Sequence, residues 1–459
     1  MKQKAPVEKN QVYEMTITGQ GSEGQGIGRV DGFAVFVPDA LPGEVADVKI
    51  LKVQKQFAYG KIETLKITSP DRTEPKCPLA RRCGGCALQH MTYDAQLRFK
   101  TQKVKDAIHR IGGLTHVEVK DCIGMETPWH YRNKAQFPVG KGKNGIEIGF
   151  YAKGSHRIID TDHCLIQHSI NDVVVEVVRQ FLEQYGISIY DQEQKKGLVR
   201  HILTRVGFQS GEVMVCLVVN GNHLPHGEVL VKALKERVPG LVSVVLNENR
   251  AHTNVILGPK IHLLWGKTTI TDKIGEVQFE ISPLSFYQVN PVQTKRLYEL
   301  AVEQAGLSGK ERVLDLYCGI GTISLFLAQK AKEVLGVEVI GEAIADAKRN
   351  AQLNGITNAR FRVGAAEDVI GLLEQEGFAP DVVVIDPPRK GCDPFVIETI
   401  AKMAPQKVVY VSCEPSTMAR DLRLFHQLGF VATEATPVDQ FGQSFHVETV
   451  ALLTKEKPI

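Results

Sequence analysis

The feature that most constrains the fold is a regular alternation of strand-like and helix-like segments in the C-terminal part of the chain. In order, these segments are ERVLDLY, GTISLFLAQKA, EVLGVEV, AIADAKRNAQLNG, ARFRVG, DVVVIDPP, VIETIAKMAP and VVYVSC. Parallel strands need a crossover between them, usually a helix, so the pattern predicts an α/β domain with a doubly wound, Rossmann-like parallel sheet over residues 276–459. In such sheets, ligands bind at the carboxyl ends of the strands.

Two further regions precede this sheet in the chain of 459 residues. Residues 8–67 have short runs rich in Val, Ile and Phe that are broken by Gly and Pro, a pattern typical of a small β-barrel. Residues 76–275 mix strand and helix patterns and predict a central α+β domain. Within it, the apolar spacing of residues 93–111 predicts a helix that can pack on the C-terminal domain.

The distribution of charge is compatible with a polyanionic partner or with a solvated surface and its counterions. The formal net charge is only +3, but the segment from Lys49 to Arg110 has 14 Lys and Arg against 5 Asp and Glu. In TPWHYRNKAQF, aromatic residues alternate with Arg132 and Lys134, which suits stacking on unpaired bases or an ordinary strand with one basic face. The N-terminus lacks the apolar core of a secretion signal, and no apolar stretch is long enough to span a membrane. We therefore expect a cytoplasmic protein with no membrane or DNA partner.

The turn after the first strand of the C-terminal sheet has the composition of a nucleoside site. VLDLYCGIGTISLFLA places Asp315 at the end of a strand and Gly319 and Gly321 in the turn, where glycine lets the backbone approach a ligand. Glu338 ends the next strand, where a carboxylate can accept hydrogen bonds from both ribose hydroxyls. Ser324 stands where a dinucleotide-binding turn has its third glycine, so S-adenosylmethionine is favoured over NAD. The alternative is a tight turn without a ligand.

Two later motifs place reactive side chains at the ends of predicted strands. Asp386 ends the apolar run of VVVIDPPRKG, and Cys413 ends that of VVYVSCEPST. A cysteine at this edge can act as a nucleophile, although a lone cysteine is more often a small buried hydrophobic residue. QSFHVETVALL places His446 and Glu448 at the start of a further strand, and Glu448 is a candidate general base.

The chain has nine cysteines, an odd number that argues against a disulfide framework. CPLARRCGGC sets Cys77, Cys83 and Cys86 in a C-x5-C-x2-C pattern, and DHCLIQH supplies Cys164 as a distant fourth thiolate. Four thiolates suit tetrahedral zinc or a [4Fe–4S] cluster, and the spacing alone favours zinc slightly. Cys122 is an alternative fourth ligand. A radical S-adenosylmethionine enzyme is less favoured, because those enzymes use C-x3-C-x2-C.

In this order, DLYCGIGT, DPPRKG, SCEPST-x-ARDL and FHVET resemble the motifs of the RNA 5-methyluridine methyltransferases. The resemblance covers nearly the whole chain and is strongest to the bacterial 23S rRNA enzymes, which carry an N-terminal TRAM barrel and an iron–sulfur cluster. It implies methylation of uridine carbon 5 in structured RNA, with S-adenosylmethionine as the methyl donor. The tRNA relatives generally lack the barrel and the cysteines, so 23S rRNA is the expected partner.

The resemblance also implies roles for individual residues. Cys413 would add to carbon 6 of uracil, and Glu448 would remove the proton from carbon 5. The implied contacts of S-adenosylmethionine are Gln288, Tyr317, Glu338 and Asp386. The implied ligands of a [4Fe–4S] cluster are Cys77, Cys83, Cys86 and Cys164, which reverses the preference for zinc.

One residue departs from the family pattern. The family usually has Asn after the nucleophile, whereas this chain has Glu414. A carboxylate beside a thiolate is expected to raise the pKa of Cys413 and slow its attack, unless the Glu414 side chain points away. Two alternatives therefore stay open: a tRNA uridine-5 methyltransferase, and a catalytically weak RNA-binding or assembly protein.

Overall fold

The N-terminal region is a closed β-barrel in the computed structural model of the protein, which describes residues 5–143 and 145–455. Its strands are β1 (Val12–Gln20), β2 (Gly26–Val30), β3 (Phe33–Val37), β4 (Val45–Val53) and β5 (Phe57–Ile67). They are hydrogen-bonded in the order β1-β2-β3-β5-β4. Successive side chains alternate between the interior and the surface, and Val35 and Val48 are fully buried inside. The predicted small barrel is confirmed.

A helix connects the barrel to the rest of the molecule. This helix, α1 (Tyr93–Asp106), continues as the π-helical turn Ala107–Ile111. The short strand β6 (Glu118–Val119) follows and forms one edge of the C-terminal sheet. Val104 and Ile108 are fully buried in the hydrophobic core of that sheet. The segment predicted to be helical thus packs on the C-terminal domain.

The central region is a mixed sheet with two helices packed on it. Its strands are β7 (Lys134–Gly142), β8 (Gly145–Tyr151), β9 (Ile158–Asp160), β10 (Val199–Val206), β11 (Val213–Val219), β12 (Leu241–Glu248) and β13 (Lys260–Gly266), in the order β13-β12-β11-β10-β7-β8-β9. The helices α2 (Ile170–Gln184) and α3 (Gly227–Arg237) bury apolar side chains such as Val178 and Leu230 against it. All residues of β11, VMVCLVV, are buried, as expected of a continuous apolar run in a strand covered on both faces.

A hairpin joins the central region to the C-terminal one. Its strands are β14 (Ile270–Ile274) and β15 (Val277–Ile281), and the predicted boundary at residues 275 and 276 lies in its turn. Phe279 is fully buried in the C-terminal core, and Asn350 accepts a hydrogen bond from the backbone N–H of Glu280 at 2.9 Å. The hairpin packs as part of the C-terminal domain, while the predicted limits of all three domains stay predictions.

The C-terminal region is the predicted doubly wound α/β sheet. Its elements are α4 (Pro291–Ala305), β16 (Arg312–Leu316), α5 (Thr322–Ala328), β17 (Glu333–Glu338), α6 (Gly341–Leu353), β18 (Ala359–Val363), α7 (Ala366–Gln375), β19 (Val382–Ile385), α8 (Pro394–Met403), β20 (Lys407–Ser412), α9 (Pro415–Gln427), β21 (Phe430–Val438) and β22 (Glu448–Lys455). The strand order is β18-β17-β16-β19-β20-β22-β21-β6, and β22 runs antiparallel to both of its neighbours. The order reverses between β16 and β19, which opens a crevice at their carboxyl ends. Within the described residues, no helix is both long and apolar enough to cross a membrane.

Candidate active site

The predicted reacting residues meet at one edge of the C-terminal sheet. Asp386 follows β19 and Cys413 follows β20, and these parallel strands end at the same edge. Because β22 runs antiparallel to β20, its first residue, Glu448, lies at that edge too. Ser412 pairs with Thr449, so Cys413 and Glu448 stand next to each other on neighbouring strands. The topology therefore brings together a thiol and two carboxyl groups.

The surroundings of Cys413 favour a neutral thiol in the free protein. Burial, followed by the charges of Glu448 and Asp386, raises the pKa of Cys413 to about 11, while the guanidinium of Arg389 acts in the opposite direction. Glu448 is 3% exposed, and its burial together with the nearby Asp386 raises its pKa. Burial also raises the pKa of Asp386. Carboxyl groups perturbed in this way can exchange protons near neutral pH, which acid–base chemistry requires.

The turn after β16 forms a cradle of backbone amides at Glu338. The carboxylate accepts hydrogen bonds from the backbone N–H of Gly319 at 3.2 Å and of Ile340 at 3.0 Å, and its oxygens keep further lone pairs for ligand hydroxyls. Tyr317 has a φ of 67°, a left-handed conformation that is uncommon for a bulky residue and occurs in tight turns and at functional sites. Gly321 has a φ of 81°, and a Cβ there would lie 3.1 Å from a neighbouring alanine side chain. The close packing of this turn therefore requires glycine.

Beneath the turn lies Asp315, whose carboxylate accepts a hydrogen bond from the Ser324 hydroxyl. Asp315 is fully buried, and burial raises its pKa to about 7. Ser324, in the position of the third glycine of a dinucleotide-binding turn, thus supports the turn through a side-chain hydrogen bond.

An apolar wall that the sequence analysis missed flanks Glu338. Val339 and Ile340 follow it directly and are 61% and 55% exposed. Val363, which pairs with Glu338 on β18, is 52% exposed. Neighbouring exposed apolar side chains beside a candidate ribose-binding carboxylate suit the flat face of a purine ring. The sequence feature that could have indicated this wall is the Val–Ile pair immediately after a glutamate at the end of a strand.

Gln288 lies where α4 begins, beside the loop that leads to Glu448. It is 7% exposed, and its backbone carbonyl accepts a hydrogen bond from the Asn133 side chain at 2.9 Å. Asn290 caps α4 and donates to the backbone carbonyl of Gln440 at 3.2 Å, which ties the segment to that loop. Within the described residues, the Gln288 side chain forms no hydrogen bond to the other three predicted cofactor contacts. Its cofactor role stays a prediction.

The predicted metal ligands share one cavity. A cavity of about 340 Å³ is lined by all four of them, Cys77, Cys83, Cys86 and Cys164. Arg132 and Lys134, which the sequence suggested as RNA contacts, line the same cavity. Cys122 is buried in the C-terminal core instead. Among residues 5–143 and 145–455, no three His, Cys, Asp or Glu side chains have the compact arrangement of a metal-ion site, so the structure does not show the predicted cluster.

Comparison with known proteins decides the family. The family model described as tRNA (Uracil-5-)-methyltransferase matches residues 92–456, and the TRAM domain model matches residues 6–62. The chain belongs to the RNA (uracil-5-)-methyltransferase family. Its N-terminal barrel is a TRAM domain, and the enzyme class expected from the motifs is confirmed.

Related methyltransferases match over their full lengths. An uncharacterized RNA methyltransferase of Halalkalibacterium halodurans is 51% identical over 452 residues, which is 98% of this chain and 99% of the relative. One from Caldanaerobacter subterraneus subsp. tengcongensis is 51% identical over 444 residues, 96% of this chain and 98% of the relative. The crystal structure of Pyrococcus abyssi tRNA (uracil-54, C5)-methyltransferase in complex with S-adenosyl-L-homocysteine superposes with a TM-score of 0.78 at 29% identity. It covers 96% of this chain and 99% of that one.

Glu414, the departure from the family pattern, caps the last helix of the methyltransferase domain. Its carboxylate accepts hydrogen bonds from the backbone N–H of Ser416 at 3.4 Å and from the Ser416 hydroxyl at 2.8 Å, as an N-cap residue does for α9. The carboxylates that raise the pKa of Cys413 are those of Glu448 and Asp386. The side chain that follows the thiol in sequence therefore stabilises the helix, and the expected cause of slow attack by Cys413 is not seen.

Proposed function

We propose that this methyltransferase transfers the methyl group of S-adenosylmethionine to carbon 5 of a uridine in structured RNA. The observation that carries the proposal is the meeting of Cys413, Asp386 and Glu448 at one sheet edge, next to the amide cradle at Glu338. A nucleophile, acid–base groups and a nucleoside pocket are what this reaction needs. The S-adenosyl-L-homocysteine bound to the related Pyrococcus abyssi enzyme supports the choice of methyl donor.

The chemistry begins at carbon 6, because carbon 5 of uracil is a poor nucleophile. The thiol proton of Cys413 passes to a neighbouring carboxylate, the sulfur bonds to carbon 6, and the electrons of the C5–C6 double bond form an enolate. Carbon 5 then attacks the sulfonium methyl, whose bond to sulfur breaks. Glu448 takes the remaining proton from carbon 5, and the C6–sulfur bond breaks to return the thiolate. The target base must first leave its stack, since its faces are covered inside a helix.

The proposed contacts of S-adenosylmethionine are Gln288, Tyr317, Glu338 and Asp386. Glu338 would accept hydrogen bonds from the ribose hydroxyls, and the apolar wall would flank the adenine. Asp386 follows β19, between the cradle and Cys413, and would lie between the methyl donor and the uracil.

The class of RNA is the finer part of the proposal. The resemblance of the motifs favours 23S rRNA, with tRNA as the second candidate. The matching tRNA enzyme from Pyrococcus abyssi covers 96% of this chain, so it must align with most of the barrel. The presence of a barrel therefore does not separate the two targets, contrary to the argument from sequence.

Mass mapping of 5-methyluridine in a strain that lacks the gene tests the proposal and separates the targets. We expect one or more sites to disappear from 23S rRNA and to return when the gene is restored. Loss of a site from tRNA alone would replace the rRNA target, and unchanged 5-methyluridine in both RNAs would contradict the function.

We also propose that Cys77, Cys83, Cys86 and Cys164 hold a [4Fe–4S] cluster. A single zinc ion draws its thiolates to about 2.3 Å from one atom, whereas a four-iron cluster gives each thiolate its own iron and spreads them apart. A cavity of about 340 Å³ lined by all four cysteines suits the second case. Arg132 and Lys134 at the cavity would offset the negative charge of a thiolate-bound cluster.

Protein purified without oxygen is expected to be brown and to contain iron and sulfide at about four each per chain. Changing any one of the four cysteines to serine should lower the iron content, because an iron atom loses its thiolate. Cys122→Ser is the matched control and should leave it unchanged, since Cys122 lies in the C-terminal core. Colourless, active protein with one zinc per chain would contradict the cluster.

The TRAM barrel offers a surface suited to RNA. Phe36 and Tyr59 are paired on β3 and β5, and their rings pack with that of Phe57 at centroid distances of 5.4 to 6.1 Å. Tyr59 is 40% exposed, and Lys52 on β4 pairs with it on its other side. Exposed rings beside cations can stack on unpaired bases and contact phosphates.

The double variant Lys52→Ala/Tyr59→Ala is expected to weaken RNA binding and to reduce its salt dependence, by about 0.7 to 0.9 log units per decade of salt for each lost phosphate contact. The dissociation constant of S-adenosylmethionine should not change, because its proposed contacts follow β15. Lys235 and Trp265 form a cation–π pair in the central domain, and their double alanine variant is the matched control. Equal losses of RNA affinity in the two double variants would contradict a special role of the barrel surface.

A further inference from the structure

The loop that leads to Glu448 is held from outside its own sheet. This base loop (Asp439–Val447) connects β21 to β22, and Val438 pairs with Glu448 at its foot. The loop thus leaves and re-enters the sheet at the active site. Its last residue, Val447, is fully buried in the core. A shift of the loop is therefore passed directly to Glu448.

At the tip of the base loop, Gln443 has a φ of 67° and is 3% exposed. Its backbone N–H donates to the Gln96 side-chain oxygen at 3.1 Å, and the Gln96 amide donates to the Gln443 side-chain oxygen at 3.0 Å. Its carbonyl accepts from the backbone N–H groups of Ala87 at 2.9 Å and Leu88 at 3.0 Å. Residues other than glycine keep this left-handed backbone conformation where the surrounding structure holds them in it. The contacts with Gln96, Ala87 and Leu88 impose it here, and Gln96 is 347 positions from Gln443 in the sequence.

The first half of the base loop is held by a buried ion pair. Lys100 and Asp439 are both fully buried, and the Lys100 ammonium also donates to the carbonyl of Phe441 at 3.1 Å. The second oxygen of Asp439 accepts a hydrogen bond from the Tyr93 hydroxyl at 2.7 Å. Buried charges of this kind fix a geometry closely, because moving either partner leaves the other unpaired.

We propose that Gln96 is a positioning residue for methyl transfer, and that with Lys100 it holds the base loop so that Glu448 stays beside Cys413. The inference rests on the proposed roles of Cys413 and Glu448. Gln96 lies on α1, and its side-chain hydrogen bonds within the described residues go to the carbonyls of Leu88 and Met91 and to Gln443. Its effect on the active site therefore passes through the base loop. Ala87 directly follows Cys86, and the backbone hydrogen bonds of Ala87 and Leu88 to Gln443 therefore join the segment that contains Cys77, Cys83 and Cys86 to the base loop.

Gln96→Leu keeps the size of the side chain and removes its hydrogen bonds. We expect kcat to fall by about tenfold or more, since misplacing a catalytic group by about 1 Å can cost up to about a hundredfold. The KM for S-adenosylmethionine should not change. A larger share of the enzyme should be trapped as a covalent adduct with RNA, because proton removal by Glu448 becomes slow. Gln102→Leu is the matched control, as Gln102 is an exposed glutamine on the same helix whose side chain donates a hydrogen bond to Asp106.

Gln443→Gly separates positioning from stability. Glycine adopts the left-handed backbone freely, so relief of strain offsets the lost side-chain bonds and the melting temperature should stay near that of the parent. The kcat should still fall and the adduct should still accumulate, because the Gln96 amide loses its acceptor on the Gln443 side chain and only backbone contacts hold the loop tip. If either variant has a lower melting temperature with unchanged kcat, or a lower kcat without extra adduct, the proposal is overturned. If Glu448→Gln itself forms no adduct, the proposed role of Glu448 fails instead, and the split between kcat and KM still tests the positioning by Gln96.

Discussion

Replacing Cys413 with alanine is expected to abolish the formation of 5-methyluridine. Without the thiolate there is no addition at carbon 6, and carbon 5 stays too weak a nucleophile to attack the methyl donor. Removal of the nucleophilic serine of subtilisin costs about 10⁶-fold in kcat. The measurement is incorporation of labelled methyl groups into substrate RNA in single-turnover conditions.

The fold and the cofactor site should survive this change. Cys413 is only partly buried, at the end of β20, so a smaller side chain leaves little cavity. The proposed cofactor contacts lie on other strands and turns, and the dissociation constant of S-adenosylmethionine should stay near the parent value. Cys122→Ala is the matched control, because Cys122 lies in the same domain core away from the edge. Normal methylation by the Cys413 variant would overturn the mechanism.

Glu448→Gln is expected to stop the reaction at a later step and to trap the RNA. Cys413 can still add and carbon 5 can still take the methyl group, provided that Asp386 accepts the thiol proton. The proton on carbon 5 then has no base, so the bond between the sulfur and carbon 6 persists. A heat-stable covalent protein–RNA complex should accumulate, and turnover should fall by about 10² to 10⁴-fold, the usual contribution of a general base. Denaturing gel electrophoresis with labelled RNA measures the covalent complex, and the incorporation of labelled methyl groups measures turnover.

The variant should fold normally for an electrostatic reason. Burial and Asp386 raise the pKa of Glu448, so ionisation of this carboxyl group destabilises the folded protein. A neutral amide of the same shape avoids that destabilisation. Glu434→Gln is the matched control, because Glu434 lies on β21, where it is opposite Leu452, well along β22 from the active-site edge. The double variant Cys413→Ala/Glu448→Gln should form no adduct. An adduct in that double variant, or none in Glu448→Gln, would show that these residues have other roles.

Most of the candidate site was predictable because it depends on local sequence and on one general rule. Strands of a doubly wound sheet end at a common edge, so Asp386 and Cys413, each at the end of an apolar run, had to lie close together. The same rule placed the cradle of Gly319 and Glu338 beside them. The apolar wall was missed because Val339 and Ile340 look like ordinary strand residues until their exposure is known.

The contacts that no local pattern encodes were decided only by the tertiary structure. From the sequence, Glu414 was expected to raise the pKa of Cys413, whereas in the structure it caps α9. The sequence could not show this, because the direction of a side chain depends on the hydrogen-bond donors around it. Arg132 and Lys134 had the composition of RNA contacts, and the fold of β7 and its neighbours placed them at the cysteine cavity.

By itself, the sequence determined the doubly wound sheet, the barrel and the family, because apolar periodicity and turn residues act over a few positions. It also grouped the four cysteines, which do line one cavity, while their metal stays a prediction. Only the tertiary structure decided that β6 joins the sheet beside β21 and that Gln96 holds Gln443. These partners are more than 300 positions apart in the chain, and such pairings depend on packing between distant elements, which a single sequence does not display.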